Sequence, residues 1–148
     1  KLIKDKTDHL PITHPEMTRF WITLQEGVNF VLKNFERMLG GEIFIPKIPS
    51  MRVVDLATSM APELKQREVG IRPGEKLHEI MCPQDDSHLT LEFEDHFVIT
   101  PSIHYTSAGN RFTPNKIGEE GQPVKQGYEY NSGTNPEFLT VEALKTYR

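Results

Sequence analysis

Residues 70–79 read Gly-Ile-Arg-Pro-Gly-Glu-Lys-Leu-His-Glu and contain the turn that most restricts how this chain can fold. Pro73 fixes its own φ angle and disfavours helical geometry for the preceding Arg72. Gly74 permits a sharp change of direction that a residue with a Cβ atom would resist. The sequence therefore predicts a rigid turn that presents one arginine side chain outward.

Arg72 and Glu75 are the candidate binding residues of this turn. The surrounding pattern predicts a strand over 68–71 that ends at Arg72 and a short helix over 76–81. Open α/β sheets bind ligands at such strand ends, and a guanidinium gives a phosphate paired, charge-assisted hydrogen bonds. Two interpretations stay open: Arg72 binds a phosphate or diphosphate, or it pairs with a structural carboxylate in an ordinary Arg-Pro-Gly turn.

Length and charge exclude several classes of function. The 148 residues are enough for one domain, and 17 Lys+Arg against 21 Asp+Glu give a formal net charge of −4. The basic residues are scattered, which argues against a nucleic-acid partner, and no apolar run is long enough for a membrane span. A single cysteine fits a reducing compartment, so we expect a cytoplasmic protein. The first residue is Lys and not Met, so we expect the true amino terminus to lie upstream.

Alternating helix and strand patterns predict an α/β fold with parallel strands. We expect strands at 17–22, 42–45 and 68–71, helices at 23–39, 53–60 and 76–81, and a hairpin of 89–93 with 96–99. The helix at 23–39 has an apolar stripe formed by Val28, Val31, Leu32, Phe35 and Leu39. Residues 1–16 are predicted to be an incoming linker with a short extended piece at 10–12, residues 100–127 an extended arm, and residues 128–148 a polar loop followed by a helix at 140–147.

No metal or cofactor motif is present in the sequence. The six histidines show no ligand spacing on a predicted helix or strand, so we interpret them as solvated or packed. Cys82 has no neighbouring base and is interpreted as a half-buried small hydrophobic residue, not as a nucleophile. No glycine-rich turn has the dinucleotide or Walker spacing. The polar run at 130–135 offers groups that suit sugar or nucleotide hydroxyls, and an ordinary turn is the alternative.

Four segments together resemble the carboxyl-terminal half of the inverting UDP-N-acetylglucosamine 4,6-dehydratases, which open the pseudaminic acid route. They are residues 17–21, 40–50, 70–79 and 130–135. The likeness runs in order along essentially the whole chain. It implies an α/β fold in which this chain is the carboxyl-terminal substrate-binding portion of an extended short-chain dehydrogenase/reductase (Rossmann-type) fold, with the Rossmann core largely absent.

The resemblance also implies roles for particular residues. Arg72 matches the arginine that grips the substrate diphosphate, and Glu75 matches an acidic residue near the ribose. Arg19 lies in the matching Thr-Arg-Phe strand, where it either touches the substrate or braces the sheet. The matching substrate-contacting loop consists of Tyr130, Asn131, Ser132, Gly133, Thr134 and Asn135.

The groups that perform the chemistry in such enzymes have no counterpart in this chain. The NADP-binding turn, the Tyr-x-x-x-Lys pair and the Asp-Lys acid/base residues would all lie upstream of Lys1. We therefore expect no catalytic, cofactor-binding or metal-binding residue here, and no activity from these 148 residues alone. The expected partners are a UDP-sugar, the upstream Rossmann half with its NADP, and further copies in a homo-oligomer. The alternative is a stand-alone, non-catalytic nucleotide-sugar-binding or assembly module.

Overall fold

The structure is a computed structural model that describes residues 8–103 and 112–147. The chain forms two compact units. The first unit comprises Lys1–Thr23, Ile48–Glu79 and Asn131–Arg148, and the second comprises Leu24–Lys47 and Ile80–Tyr130. In chain order the elements are β1 (His9–Ile12), β2 (Thr18–Phe20), α1 (Leu24–Arg37), β3 (Ile43–Pro46), β4 (Ser50–Arg52), α2 (Val53–Met60), β5 (Lys65–Glu68), β6 (Ile80–Cys82), a 3₁₀-helix (Gln84–Leu89), β7 (Thr90–Glu92), β8 (His96–Ile99), β9 (Gln122–Pro123), β10 (Tyr130–Asn131) and α3 (Val141–Thr146).

The first unit combines two small sheets with a pair of helices. β1 and β5 are parallel, whereas β2 and β4 are antiparallel and place Thr18 opposite Arg52. Helices α2 and α3 pack together, and Leu144 of α3 is buried. The Thr140 hydroxyl accepts the Ala143 N–H, which caps the start of α3. Apolar side chains that the unit buries include those of Ile12, Met17, Met51, Ala57, Ala61 and Leu144.

The second unit is built on an antiparallel sheet with the strand order β3-β8-β7-β9. All four residues of β8 are buried, as expected for an inner strand packed on both faces. Helix α1 ends before a glycine pair, where the Glu42 carboxylate accepts the N–H groups of Leu39 and Gly40. These bonds satisfy backbone groups just after the helix and fix the entry into β3.

The structure confirms most of the predicted elements and corrects others. The helices at 23–39, 53–60 and 140–147, the strand at 42–45 and the 89–99 hairpin are present, with ends shifted by a few residues. Parallel pairing holds for β1 with β5, whereas β2–β4, β3–β8, β7–β8 and β7–β9 are antiparallel. The extended piece predicted at 10–12 within the linker is present as β1. Of the predicted arm, residues 104–111 lie outside the described part of the chain, and 112–127 contain β9.

The predicted helix at 76–81 is wrong. The Leu77 carbonyl accepts the Thr18 N–H at 3.1 Å, and the Glu79 carbonyl accepts the Ser132 N–H at 2.8 Å. The bond to Thr18 occupies the Leu77 carbonyl, which a helix would pair with the Met81 N–H, and the bond to Ser132 holds Glu79 against a distant loop. The segment is therefore irregular and passes directly into β6. The strand before the turn also ends earlier than predicted, at Glu68, so Arg72 lies in a loop and not at a strand end.

Candidate functional site

The turn at residues 72–75 is held by two reciprocal hydrogen bonds. The Glu75 N–H donates to the Arg72 carbonyl at 3.0 Å, and the Arg72 N–H donates to the Glu75 carboxylate at 3.2 Å. Gly74 has φ +81°, a left-handed conformation that suits glycine. The Arg72 residue is exposed, and no carboxylate in residues 8–103 or 112–147 forms an ion pair with its guanidinium. This geometry leaves the guanidinium available for an anionic ligand.

Arg19 makes contacts inside the protein. Its Nη1 donates to the Thr18 carbonyl at 2.7 Å and to the Leu77 carbonyl at 3.2 Å. Its Nε lies 3.4 Å from a carboxylate oxygen of Glu79. These contacts tie β2 to residues 77–79.

The loop at 130–135 uses several of its polar groups to hold its own shape. The Asn131 side-chain carbonyl accepts the N–H groups of Gly133 and Thr134, at 2.6 and 3.3 Å. The Asn135 amide is buried and donates to the Ile48 carbonyl and to the Ser50 hydroxyl. Thr134 is exposed. The loop therefore presents Thr134 to solvent while Asn135 is used for packing.

Tyr130 belongs to the second unit and the other five loop residues to the first. The Tyr130 ring is 5% exposed, and its centroid lies 4.9 Å from that of Phe97. This side chain is therefore part of the packed interior of its own unit.

A chain of hydrogen bonds links β2, the 70–79 segment and the 130–135 loop. The Ser132 hydroxyl accepts the Glu79 N–H at 2.9 Å and lies 2.7 Å from the Thr18 hydroxyl. The Thr18 hydroxyl in turn lies 2.8 Å from Nδ1 of His78. Ser132 is fully buried and Thr18 is 4% exposed, whereas His78 is half-buried. The sequence did not predict these hydrogen bonds, because Thr18 is 60 positions from His78 and 114 positions from Ser132.

His78 lines a cavity of about 480 Å³ in the first unit. The cavity is lined by Pro15, Glu16, Thr18, Arg52, Val54, His78, Gly133 and Phe138. Its wall thus carries a cation, a carboxylate, an imidazole and an aromatic ring. Of the residues singled out from the sequence as site candidates, only Gly133 lines it. His78 could have been suspected from its place in the 70–79 segment, but its Thr18 partner could not.

Metal and thiol chemistry find no support in the geometry. The described residues contain no group of three or more His, Cys, Asp or Glu side chains placed to hold a metal ion. Cys82 is fully buried and not half-buried as predicted, and burial raises the pKa of its thiol to about 12. Because the thiolate is the nucleophilic form, the Cys82 side chain acts as a packed apolar group. No helix within the described ranges is both long and apolar enough to cross a bilayer.

Comparisons with known proteins identify the family. Residues 1–101 match the family described as polysaccharide biosynthesis protein, and the chain belongs to this family. Two relatives are UDP-N-acetylglucosamine 4,6-dehydratases (inverting) of Campylobacter jejuni, from serotypes O:2 and O:23/36. They are 59% and 55% identical to this chain over 97% of its length. The chain spans 43% of the length of each of these enzymes.

A solved structure has a similar fold. The X-ray structure of Pen from Bacillus thuringiensis superposes with a TM-score of 0.74 at 27% sequence identity. The match covers 98% of this chain and 42% of that one. Together these comparisons confirm the resemblance to the inverting dehydratases and the predicted fold class, an α/β fold of the extended short-chain dehydrogenase/reductase type.

Proposed function

We propose that this chain is the UDP-sugar-binding carboxyl-terminal part of an NADP-dependent, 5-inverting UDP-N-acetylglucosamine 4,6-dehydratase. The observation that carries the proposal is the 59% and 55% identity to two enzymes of that name over 97% of the chain. The product would be a UDP-4-keto-6-deoxy-hexosamine, a precursor for pseudaminic acid and for surface-glycan or flagellin glycosylation. In this proposal the enzyme is cytoplasmic and homo-oligomeric.

Arg72 is the residue that we propose for the diphosphate. Its guanidinium is exposed, and the turn fixes its backbone through Glu75. A planar guanidinium can donate two parallel hydrogen bonds to one phosphate. We propose that Glu75 and the 130–135 loop contact the rest of the UDP-sugar. In the loop, Thr134 and Asn131 are the side chains that are not fully buried.

The residues of this chain do not fit an NADP site. The sequence has no glycine-rich strand-turn-helix with dinucleotide spacing. The cofactor, which supplies a hydride acceptor in this reaction, would therefore belong to the upstream half. The contribution of this chain is to bind the UDP end of the substrate, because binding energy from a remote group can hold the reacting sugar in position.

The exposed apolar face of α1 supports the proposal of a further half. Leu24, Val28, Val31, Leu32 and Phe35 fall on one stripe of the helix and are between 43% and 86% exposed. A contiguous apolar face of this kind marks an interaction surface. We propose that the upstream half of the same polypeptide covers it, since the chain spans 43% of the length of its dehydratase relatives.

The function is tested by incubating the full-length protein with UDP-N-acetylglucosamine and NADP, and by following the sugar by NMR. We expect a 4-keto-6-deoxy sugar from the full-length protein and none from the 148 residues alone. A full-length protein that binds UDP-N-acetylglucosamine and leaves it unchanged would favour the binding-module alternative. A 4-keto sugar formed by the 148 residues alone would show that the catalytic groups lie within this chain.

A further inference from the structure

We propose that the cavity of the first unit is a binding site for a sugar phosphate, in which Nε2–H of His78 and the guanidinium of Arg52 bind the phosphate. The inference rests on the cavity and on the hydrogen-bond chain behind it. It is independent of the dehydratase activity and of Arg72, which does not line the cavity.

The hydrogen-bond chain determines which nitrogen of His78 carries the proton. Ser132 is fully buried, and its hydroxyl oxygen already accepts the Glu79 N–H. Among the described residues, the acceptor within reach of the Ser132 hydroxyl proton is Oγ1 of Thr18, at 2.7 Å. A buried hydroxyl without an acceptor is costly, so Ser132 donates to Thr18. Thr18 then donates its own proton to Nδ1 of His78.

The neutral imidazole therefore carries its proton on Nε2. An imidazole whose Nδ1 accepts a hydrogen bond is a donor through the other ring nitrogen. Since Nδ1 is used by Thr18, Nε2–H is the group that His78 has for a ligand. The Nε2–H group can donate a hydrogen bond to an acceptor such as a phosphate oxygen.

Gly133 fixes the ring from the other side. A Cβ atom at this position would lie 2.7 Å from Cγ and Nδ1 of His78 and 2.9 Å from Cδ2. Real side chains do not approach so closely, so only glycine allows the imidazole to lie on this backbone. The atoms nearest Gly133 are Cγ, Nδ1 and Cδ2.

Arg52 is placed on the same face as the hydrogen-bond chain. It lies directly opposite Thr18 in the antiparallel pair β2–β4, and residues opposite each other in such a pair project to the same side of the sheet. Both residues line the cavity. Arg52 is exposed and forms no ion pair with a carboxylate of the described ranges.

The rest of the lining suits the sugar. The volume of about 480 Å³ falls within the range of roughly 300–1,000 Å³ that small-molecule sites occupy. Glu16 offers a carboxylate that can accept hydrogen bonds from hydroxyl groups, while Val54 and Phe138 offer apolar surface for the face of the ring. The cavity thus offers hydrogen-bond donors for an anion, a carboxylate acceptor for hydroxyl groups and an apolar wall. This combination matches a sugar phosphate better than a free sugar or a bare anion.

The binding test uses glucose 1-phosphate, with glucose and inorganic phosphate as partial ligands, titrated into the full-length protein by calorimetry. His78→Asn keeps an acceptor near Thr18 and removes the donor at the Nε2 position, whereas His78→Gln restores an N–H there. We expect His78→Asn and Arg52→Gln each to raise the Kd for glucose 1-phosphate about tenfold, the worth of one charge-assisted bond. His78→Gln should recover part of the loss, and both partial ligands should bind more weakly than glucose 1-phosphate.

The controls are His88→Asn and Arg67→Gln, which change an exposed histidine and an exposed arginine outside the cavity. Neither should alter the Kd. Arg72→Ala is measured beside them to show whether glucose 1-phosphate binds at the 72–75 turn instead. Equal affinity in wild type, His78→Asn and Arg52→Gln would overturn the proposal. A loss with Arg72→Ala alone would overturn it too, because it would place the phosphate at the 72–75 turn.

A second measurement does not depend on the ligand. Histidine side-chain nitrogen NMR of the free protein at about pH 8, where imidazoles are neutral, reports the tautomer directly. We expect His78 in the Nε2–H form and His88 in the Nδ1–H form, because Nδ1 of His88 faces a carbonyl oxygen, that of Asp85, at 2.9 Å. Thr18→Val should abolish the preference at His78 and leave His88 unchanged. An Nδ1–H tautomer at His78 in the wild-type protein would overturn the assignment.

Discussion

The guanidinium of Arg37, which is 1% exposed, lies 2.7 Å from a carboxylate oxygen of Asp95 in the turn between β7 and β8. The guanidinium nitrogen next to Asp95 is Nη2, and it also donates to Oε1 of Glu119 at 3.0 Å. Nε lies 2.7 Å from the other Glu119 oxygen, an ion-pair contact without hydrogen-bond geometry. One buried cation at the end of α1 thereby joins the helix, the sheet and the segment before β9.

Arg37→Met should destabilise the protein strongly. The substitution keeps the apolar stem and removes the charge, so Asp95 and Glu119 lose their shared partner. Because Asp95 and Glu119 are 46% and 36% exposed, water solvates part of the charge that they keep, and we expect a loss of about 1–3 kcal/mol in the free energy of unfolding. Urea unfolding followed by circular dichroism measures this cost.

Lys33→Met is the matched control, because Lys33 pairs with the same Asp95 carboxylate at 3.0 Å but is 48% exposed. An exposed pair contributes at most about 1 kcal/mol. Similar losses from the two substitutions would show that burial of Arg37 does not set the energy of this network.

His96 should make the stability of the protein sensitive to mild acid. The side chain is fully buried beside Phe93 and Phe44, and Nδ1 donates to Asp95 at 2.7 Å. Burial lowers the pKa of His96, although the Asp95 hydrogen bond opposes this effect. Between the lowered pKa and the ordinary value of about 6.5, the unfolded chain binds more protons than the folded one. The contribution of His96 to the free energy of unfolding is therefore fully present above about pH 6.5 and decreases as the pH falls.

Comparing the free energy of unfolding at about pH 7 and pH 5 tests this expectation. His96→Phe should reduce the difference between the two pH values, and His88→Asn, a change at an exposed position, should not. A pH difference that is the same in wild type and His96→Phe would mean that other groups cause it.

A separate loss of stability is expected in stronger acid. Burial alone would raise the pKa of Asp95, but hydrogen bonds from His96, Lys33 and Arg37 hold it well below its usual range. The Arg37 hydrogen bond likewise lowers the pKa of Glu119. Since both values are depressed in the folded state, their contribution is present above about pH 4 and is lost as the pH falls further.

Local patterns were sufficient to predict α1, α2, α3 and the β7–β8 hairpin. Each depends on side-chain periodicity and on nearby breakers such as the glycines after α1. The helix predicted at 76–81 is absent because carbonyl groups of this segment accept hydrogen bonds from Thr18 and Ser132, which lie 59 and 53 positions away in the sequence. The hydrogen bond between His78 and Thr18 could not be predicted for the same reason, because the two residues are 60 positions apart. Four residues of the predicted apolar stripe lie on α1, whereas Leu39 lies after its end at Arg37. The sequence could not say that these four side chains are exposed in the described part of the chain.

Phe35→Glu tests which surface covers α1. Phe35 is 62% exposed within this chain. If the upstream half covers it, a carboxylate placed there is buried without a partner, and the Tm of the full-length protein should fall by several degrees with no change in oligomeric state. Differential scanning calorimetry and light scattering measure the two quantities.

Glu36→Gln, at the exposed neighbouring position, should change neither quantity. An oligomer that dissociates in Phe35→Glu would instead identify a second copy as the occupant of the α1 face. An unchanged Tm with an unchanged oligomer would leave the stripe without a covering surface and contradict the proposal of the upstream half.

Gly133→Ala should displace His78 without altering the charge of the cavity. The new Cβ would lie 2.7 Å from the imidazole, so the ring or the loop backbone must shift, and we expect the hydrogen bond to Thr18 to weaken. We expect weaker binding of glucose 1-phosphate and loss of the Nε2–H tautomer preference in the histidine NMR spectrum. Glu137→Gln, at an exposed position outside the cavity, should leave both unchanged. Retention of the wild-type tautomer in Gly133→Ala would show that the ring is held by other contacts.

Arg72 provides the most direct test of the proposed UDP-sugar site. In the full-length protein, Arg72→Ala should weaken UDP binding by about 1.5–3 kcal/mol, the worth of charge-assisted hydrogen bonds to phosphate. Uridine, which lacks phosphate, should bind wild type and variant equally. Arg72→Lys should recover only part of the loss, because an ammonium keeps the charge and loses the planar fork. Calorimetric titration of UDP and uridine, with a thermal melt of each variant, measures all three effects.

Arg67→Ala is the matched control for this experiment, since Arg67 is also exposed and lies on β5, shortly before the turn. It should leave the affinity for UDP and the Tm unchanged. If Arg72→Ala instead lowers the Tm while its affinities for uridine and UDP fall in parallel, the guanidinium stabilises the fold and does not bind phosphate. The exposure of Arg72 and the lack of an ion pair with a described carboxylate argue for the phosphate-dependent result.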